Sequence, residues 1–173
     1  PRSTLFPYTT LFRSLSCALN MSSKYFGGMT PADDPAWASR QSPLRDIACG
    51  IEARYSEHME SFEYVAAKDV VMELVHAANH YVEDSAPWTL AKDPSRSGEL
   101  ADVIRNLLES IRISAHLLAP FMPQTSVEVL RRMGATGELD CDDLAAACEW
   151  GQLAGGVEVT KGDALFPRLA AKG

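Results

Sequence analysis

Residues 97–118 read SGELADVIRNLLESIRISAHLL, and no other segment constrains the architecture as strongly. Their apolar positions recur at intervals of three and four, which places them on one face of a helix. We expect Ser97 to cap this helix and Pro120 and Pro123 to end it, because proline has no N–H to continue the ladder. The stripe consists of Leu100, Val103, Ile104, Leu107, Leu108, Ile111, Ala115 and Leu118.

Two segments upstream carry the same periodicity. Residues 61–83 predict a helix whose apolar face includes Val71, Leu74 and Val75, and Pro87 disfavours helical geometry just after it. Residues 43–61 predict an earlier helix with proline in its first turn. Gly50 weakens that earlier helix by about 1 kcal/mol relative to alanine.

The segments downstream are shorter. Residues 123–133 predict a helix that stops at Gly134, and Asp140 opens a small acidic helix. Residues 151–173 predict an extended tail, in which Val157 and Val159 form a short strand. The chain has no internal repeat and no long alternating run. The sequence therefore predicts an all-α fold, an antiparallel helical bundle with a short extended C-terminal tail.

Composition narrows the class of protein. The 173 residues suit one domain, and the formal net charge of -7 argues against a large basic surface for nucleic acid. No apolar run approaches a membrane span, and the N-terminus lacks a signal-peptide pattern. The cysteines show no zinc-site spacing, which favours reduced thiols in a cytoplasmic protein. They are Cys17, Cys49, Cys141 and Cys148. We expect neither a membrane nor DNA as a partner.

Motifs for chemistry are sparse. Glu73 and His76 have the Glu-x-x-His spacing of di-metal bundles, but such a site needs the motif twice and it occurs once. There is no G-x-S-x-G turn and no glycine-rich phosphate loop. We expect no catalytic residue, no metal and no cofactor in this chain.

The segment ANHYVEDSAPWTLAK, residues 78–92, places Trp88 just past a helix-ending proline in a polar neighbourhood. One interpretation is a core side chain that folds back onto the bundle. The other is a stacking surface for an unpaired base, worth about 1–3 kcal/mol per base. The residues alone leave both open, although stacking needs no positive field and so suits an acidic domain.

Four ordered segments carry a family resemblance: LNMSSKYFGGMTP (19–31), NHYVEDSAPWTLAK (79–92), LLAPFMPQTSVEVLRRMG (117–134) and LFPRL (165–169). Together they resemble the C-terminal anticodon-binding domain of methionyl-tRNA synthetases, from about Leu15 to Leu169. The resemblance implies an all-α bundle that binds methionine-accepting tRNA, with Trp88 stacked on an anticodon base. The Ala-Pro-Trp and Leu-Phe-Pro-Arg strings weigh against the leucyl, valyl and cysteinyl enzymes, and a helical scaffold that does not bind RNA is the remaining alternative.

The resemblance also implies a partner domain. In this family a class I catalytic domain joins methionine to its tRNA using ATP, and its motifs and zinc-bearing insertion do not occur here. We therefore expect an N-terminally truncated, non-catalytic fragment of a methionine-tRNA ligase, with ATP and zinc belonging to the other half. The tail of residues 151–173 is expected to pack toward that absent domain and to leave an apolar patch around the first helix.

The opening residues look foreign. Residues 4–14, TLFPYTTLFRS, can be back-translated without interruption into a common sequencing-adapter oligonucleotide, so we interpret residues 1–14 as adapter-derived and residues 15–150 as the native bundle. The family carries an asparagine and an arginine one turn apart that face the anticodon. Counted back from Lys24, these positions fall on Arg13 and Cys17. Both polar readers are then lost, and Trp88 alone is expected to discriminate little between bases.

Overall fold

The computed structural model describes residues 7–135 and 143–162, with side chains from residue 15 onward. Its helices within these ranges are α1 (Pro7–Tyr25), α2 (Pro43–Ala48), α3 (Ile51–Glu60), α4 (Tyr64–Ser85), α5 (Pro87–Leu90), α6 (Ser97–Leu118), α7 (Pro123–Arg132) and α8 (Leu144–Ala147). Two 3₁₀ turns, Trp37–Ser39 and Pro94–Arg96, complete the regular structure, and the described residues contain no β-strand. The predicted all-α bundle is confirmed.

Helix α6 lies at the centre of the bundle. It packs against α1, α2, α4, α5, α7 and α8, and its residues 103–115 are all buried. The predicted apolar stripe of α6 lies almost entirely in one cluster, which α6 shares with α1 and α7, and Leu118 alone joins a second cluster. Ile113 and Leu117, which lie outside the predicted stripe, also belong to this second cluster, which α6 shares with α3 and α4. Burial of apolar surface on every side of α6 therefore holds the bundle together.

The helix predicted over residues 43–61 is two helices. Cys49 leaves helical geometry and Gly50 has φ +76, so the chain turns between α2 and α3. This backbone conformation is cheap only for glycine. The sequence analysis treated Gly50 as a weak helical position, whereas it breaks the helix.

Smaller differences occur at other helix ends. Helix α4 begins three residues later than predicted, and Ser97 lies inside α6 without a capping hydrogen bond. The ends predicted from proline and glycine are confirmed: Ala86 is left-handed before Pro87, and Gly134 has φ +73 after α7. Asp143 caps α8, while Asp140, the predicted start of that helix, lies outside the described residues.

The C-terminal segment packs on the chain's own N-terminal half. Instead of a strand, residues 151–162 form one antiparallel bridge, between Met29 and Glu158. Thr30 Oγ1 donates to the carbonyl of Ala154 and accepts from the N–H of Val157, both at 2.9 Å. Leu165–Leu169 lie outside the described residues. Among those described, no helix is long and apolar enough to cross a membrane.

Candidate functional site

Trp88 is the second residue of α5, directly after the turn that ends α4. Ala86 adopts φ +42, which turns the chain sharply, and its carbonyl accepts the N–H of Thr89 at 2.7 Å. Pro87 and Leu90 are buried and fix the short helix α5, which packs against α6. Trp88 is 48% exposed. The indole is therefore held by a rigid helix start with about half of its surface in solvent.

A buried polar network supports the last turns of α4. Asn106 of α6 accepts a hydrogen bond from Trp37 Nε1–H at 2.8 Å through Oδ1. Its Nδ2–H donates to the hydroxyl of Tyr81 at 3.0 Å. Asn106 thus joins the 31–42 connection, α6 and α4 near the helix end that carries Trp88. The sequence analysis missed this network, because a single asparagine within an apolar helix was the only signal.

The two positions assigned to lost anticodon readers lie on α1. Cys17 is partly buried and packs on the apolar cluster that also includes Tyr81 and Leu90. Cys17, the end of α4 and α5 therefore all contact the same apolar cluster. Arg13 falls within α1, but its side chain lies outside the described part of the chain. Its predicted role, like that of Cys17, stays a prediction.

The charges around Trp88 are mixed. Glu83 and Asp84 precede it, and Lys92 follows it, all of them exposed. Arg96 is paired with Glu99 at 2.6 Å, and the hydrogen bond from Arg96 lowers the pKa of that carboxyl. The neighbourhood of the indole in the sequence is therefore not a basic patch. It offers an aromatic face for stacking rather than a strong field for phosphates.

The structure shows no group of side chains arranged for a metal among the residues it describes. Glu73 and His76 are both exposed on α4, and Glu73 is paired with Arg54 at 2.8 Å. The carboxylate that could have served as a ligand is engaged in a surface ion pair.

A buried ion pair outside the candidate site stabilises the fold. Glu109 of α6 is fully buried and accepts hydrogen bonds from Arg112 and from the backbone N–H groups of Gly151 and Gln152, at 2.7–3.0 Å. Arg112 in turn donates to the carbonyl of Glu149 at 2.7 Å. This pair holds the segment after α8 against α6. A Glu-x-x-Arg pair inside the most apolar helix was the sequence signal that could have revealed it.

Comparison with known proteins identifies the family. A family model described as the anticodon-binding domain of methionyl tRNA ligase matches residues 31–172. The chain is 36% identical over 159 residues to the methionine–tRNA ligase of Bacillus subtilis, covering 91% of this chain and 24% of that protein. A methionine–tRNA ligase of Streptococcus pneumoniae is 36% identical over 155 residues, with 90% and 23% covered. The chain thus spans about a quarter of the length of these relatives.

Solved structures agree with the fold. The free-state crystal structure of Mycobacterium tuberculosis methionyl-tRNA synthetase matches with a TM-score of 0.76 at 22% identity, covering 94% of this chain and 32% of that one. The same enzyme bound by methionyl-adenylate matches with a TM-score of 0.76 at 21% identity, covering 91% and 31%. With its family model, relatives and fold in agreement, this chain belongs to the family of anticodon-binding domains of methionyl-tRNA ligases.

Proposed function

We propose that this domain binds the anticodon loop of a methionine-accepting tRNA and that Trp88 is the surface on which an anticodon base stacks. The observation that carries the proposal is the half-exposed indole at a rigid helix start in a domain of this family. A base that stacks on an aromatic face contributes about 1–3 kcal/mol. Since α5 is anchored through Pro87 and Leu90, little ordering of the protein is needed on binding.

In the whole protein the domain would serve a methionine-tRNA ligase that uses ATP. The support is the set of relatives, of which this chain matches about a quarter. The bundle itself would place the tRNA, while ATP, zinc and the reacting groups would belong to a separate catalytic domain. The protein is proposed to act in the cytoplasm, where tRNA is charged.

A scaffold without RNA binding is the rival interpretation, and it needs Trp88 as a core side chain. The core stripe of α6 includes Leu100 and Leu107, both buried, whereas Trp88 is 48% exposed. The exposure of the indole supports the stacking role.

The test is binding of fluorescein-labelled methionine tRNA to the chain and to Trp88→Ala, followed by anisotropy. We expect Trp88→Ala to weaken the affinity by about 5-fold to 100-fold, the equivalent of one stacked base. Trp88→Phe should recover part of the loss because it keeps an aromatic face. Val127→Ala, which trims an exposed apolar side chain on α7, is the matched control and should bind as the unchanged chain does.

A second arm uses tRNA with altered anticodon bases. If Trp88 binds a base without the polar readers assigned to positions 13 and 17, the dissociation constants of these tRNAs should lie within a few-fold of that of the methionine tRNA. Equal binding by Trp88→Ala and the unchanged chain would overturn the stacking role.

A further inference from the structure

The turn between α3 and α4 exposes an apolar surface that the fold does not use. Phe62 is 76% exposed, Tyr64 49% and Val65 72%. These three side chains, here called the 62–65 corner, include the two most exposed large apolar residues for which the structure describes side chains. Exposed apolar groups that cluster, rather than occur singly, commonly mark an interaction site.

Phe62 also has an unfavourable backbone. Its φ of +60 is left-handed, which costs an L-residue about 1–2 kcal/mol and is rare for a bulky side chain. Glycine at this position would avoid the cost and would remove the exposed ring. A contribution to folding stability therefore does not explain why phenylalanine occupies this position. Backbone strain of this kind is common at functional sites.

The turn nevertheless fixes the backbone that carries the ring. The N–H of Phe62 donates to the carbonyl of Met59 at 3.1 Å, and the N–H of Glu63 donates to the carbonyl of His58 at 2.8 Å. The rings of Phe62 and Tyr64 meet edge to face, with centroids 6.3 Å apart. Edge-to-face contact is a preferred geometry for an aromatic pair. The corner is thus a preformed aromatic surface.

The charges around the corner are mainly acidic. Glu57 and Glu60 are exposed, and neither has an ion-pair partner among the described side chains. The nearby basic side chains are already engaged, His58 with Glu63 at 2.7 Å and Lys68 with Asp69 at 2.6 Å. The aromatic surface is therefore bordered by unpaired negative charge.

We propose that the 62–65 corner docks a protein segment that is both basic and apolar, such as an amphipathic helix with lysines beside its apolar face. Its apolar side chains cover Phe62, Tyr64 and Val65, and its cations face Glu57 and Glu60. Nucleic acid is disfavoured because Arg54 and Lys68, near the corner, are already ion-paired, whereas Lys92 is exposed beside Trp88. A second copy is disfavoured because a two-fold contact brings identical acidic patches together.

The corner is independent of the proposed tRNA surface. It lies at the start of α4, which is 22 residues long, and Trp88 follows the end of that helix. At 1.5 Å per residue the two surfaces are about 30 Å apart. A partner on the corner can therefore bind while tRNA occupies the other end.

The test uses a labelled peptide of about 14 residues in which leucine and lysine alternate at helical spacing, titrated with the whole chain. We expect saturable binding that weakens at least tenfold for Phe62→Gly and for the double variant Glu57→Gln, Glu60→Gln, and that weakens with added salt. A peptide with glutamate in place of lysine should bind at least tenfold more weakly. Val127→Ala is the control for an exposed apolar residue elsewhere and should bind the lysine peptide normally.

Phe62→Gly also separates docking from folding. Because it relieves the left-handed backbone, it should melt at the same temperature as the unchanged chain or higher, while peptide binding is lost. Equal binding of both peptides, or unchanged binding by Phe62→Gly, would overturn the proposal. Self-association of the chain that Phe62→Gly abolishes would assign the corner to a second copy and would overturn it as well.

Discussion

The Glu109 carboxylate has no exposed surface, and four donor groups converge on it. Two of those donors are backbone N–H groups of the C-terminal segment. The carboxylate therefore orients Arg112 within α6 and also fixes a distant part of the chain. A buried charge of this kind is tolerated only while its partners stay in place.

Glu109→Ala is expected to lower the free energy of unfolding by about 3–5 kcal/mol, since it leaves Arg112 buried without its counter-charge. Urea denaturation followed by circular dichroism measures the change. Glu99→Ala is the control, because it removes an exposed ion pair with Arg96 and should change the stability much less than Glu109→Ala does. Equal small losses in both variants would contradict the structural role of Glu109.

Glu128 is a residue whose charge makes stability depend on pH. Hydrogen bonds from Arg131 and Arg132 lower the pKa of its carboxyl from 4.5 to about 2. Because the folded-state pKa is the lower one, the stabilisation is present above about pH 4.5 and is lost as the pH falls toward 2.

Glu128→Gln should therefore be less stable than the unchanged chain at pH 7, by at most about 1 kcal/mol for a surface pair. The difference should shrink as the pH is lowered from 4.5 toward 3. Urea denaturation of both proteins across this range measures it. A difference that stays constant with pH would show that the glutamate contributes through something other than its charge.

At the scale of elements, the helices differ in how far the sequence predicts them. Helices α6 and α7 follow from apolar spacing and from the prolines and glycine at their ends, because these signals are local. The division between α2 and α3 does not follow, because Gly50 is compatible with both a weak helix and a turn. Its φ of +76 accompanies the packing of α2 on α4 and α6 and of α3 on α4.

Gly50→Ala tests that division. No atom lies within 4 Å of the position that a Cβ would take, so the cost comes from the left-handed backbone alone. We expect a loss of about 1–2 kcal/mol in the free energy of unfolding. Gly98→Ala is the matched control, because Gly98 lies in α6 with equally open space and an ordinary φ. It should be neutral or stabilising.

At the scale of the whole molecule, contacts between distant segments hold the C-terminal segment in place. Thr30 bonds to Ala154 and Val157 across more than 120 residues, and its own side chain is buried. The sequence does not predict these hydrogen bonds, because a single threonine in a loop forms no recognisable pattern. The same is true of Trp37 and Asn106, which lie 69 residues apart and are joined by a single hydrogen bond.

Thr30→Val keeps the shape of the side chain and removes both hydrogen bonds. We expect it to lower the free energy of unfolding by about 1–3 kcal/mol, because two part-buried hydrogen bonds are lost together. Hydrogen exchange should show faster exchange of the Val157 amide than in the unchanged chain. Unaltered protection at that amide would mean that the segment is held by other contacts.

The exposure of the proposed stacking residue, Trp88, could not be predicted from the sequence either. The residues around Trp88 left its role open between core and surface, and the family resemblance favoured the surface. The structure places the indole half in solvent, a result that spacing could not supply because exposure depends on how α5 packs on α6. The stacking role itself awaits the tRNA experiment.

The three tryptophans of the chain occupy unlike surroundings. Trp37 and Trp150 lie together, with ring centroids 5.9 Å apart and Trp37 buried, whereas Trp88 faces solvent. The protein therefore contains its own fluorescent probe. Acrylamide should quench the red-edge emission of Trp88 at lower concentrations than it quenches the other two indoles. A nucleobase laid on Trp88 would shield it, so light emitted by the unlabelled protein can follow the encounter with RNA in real time.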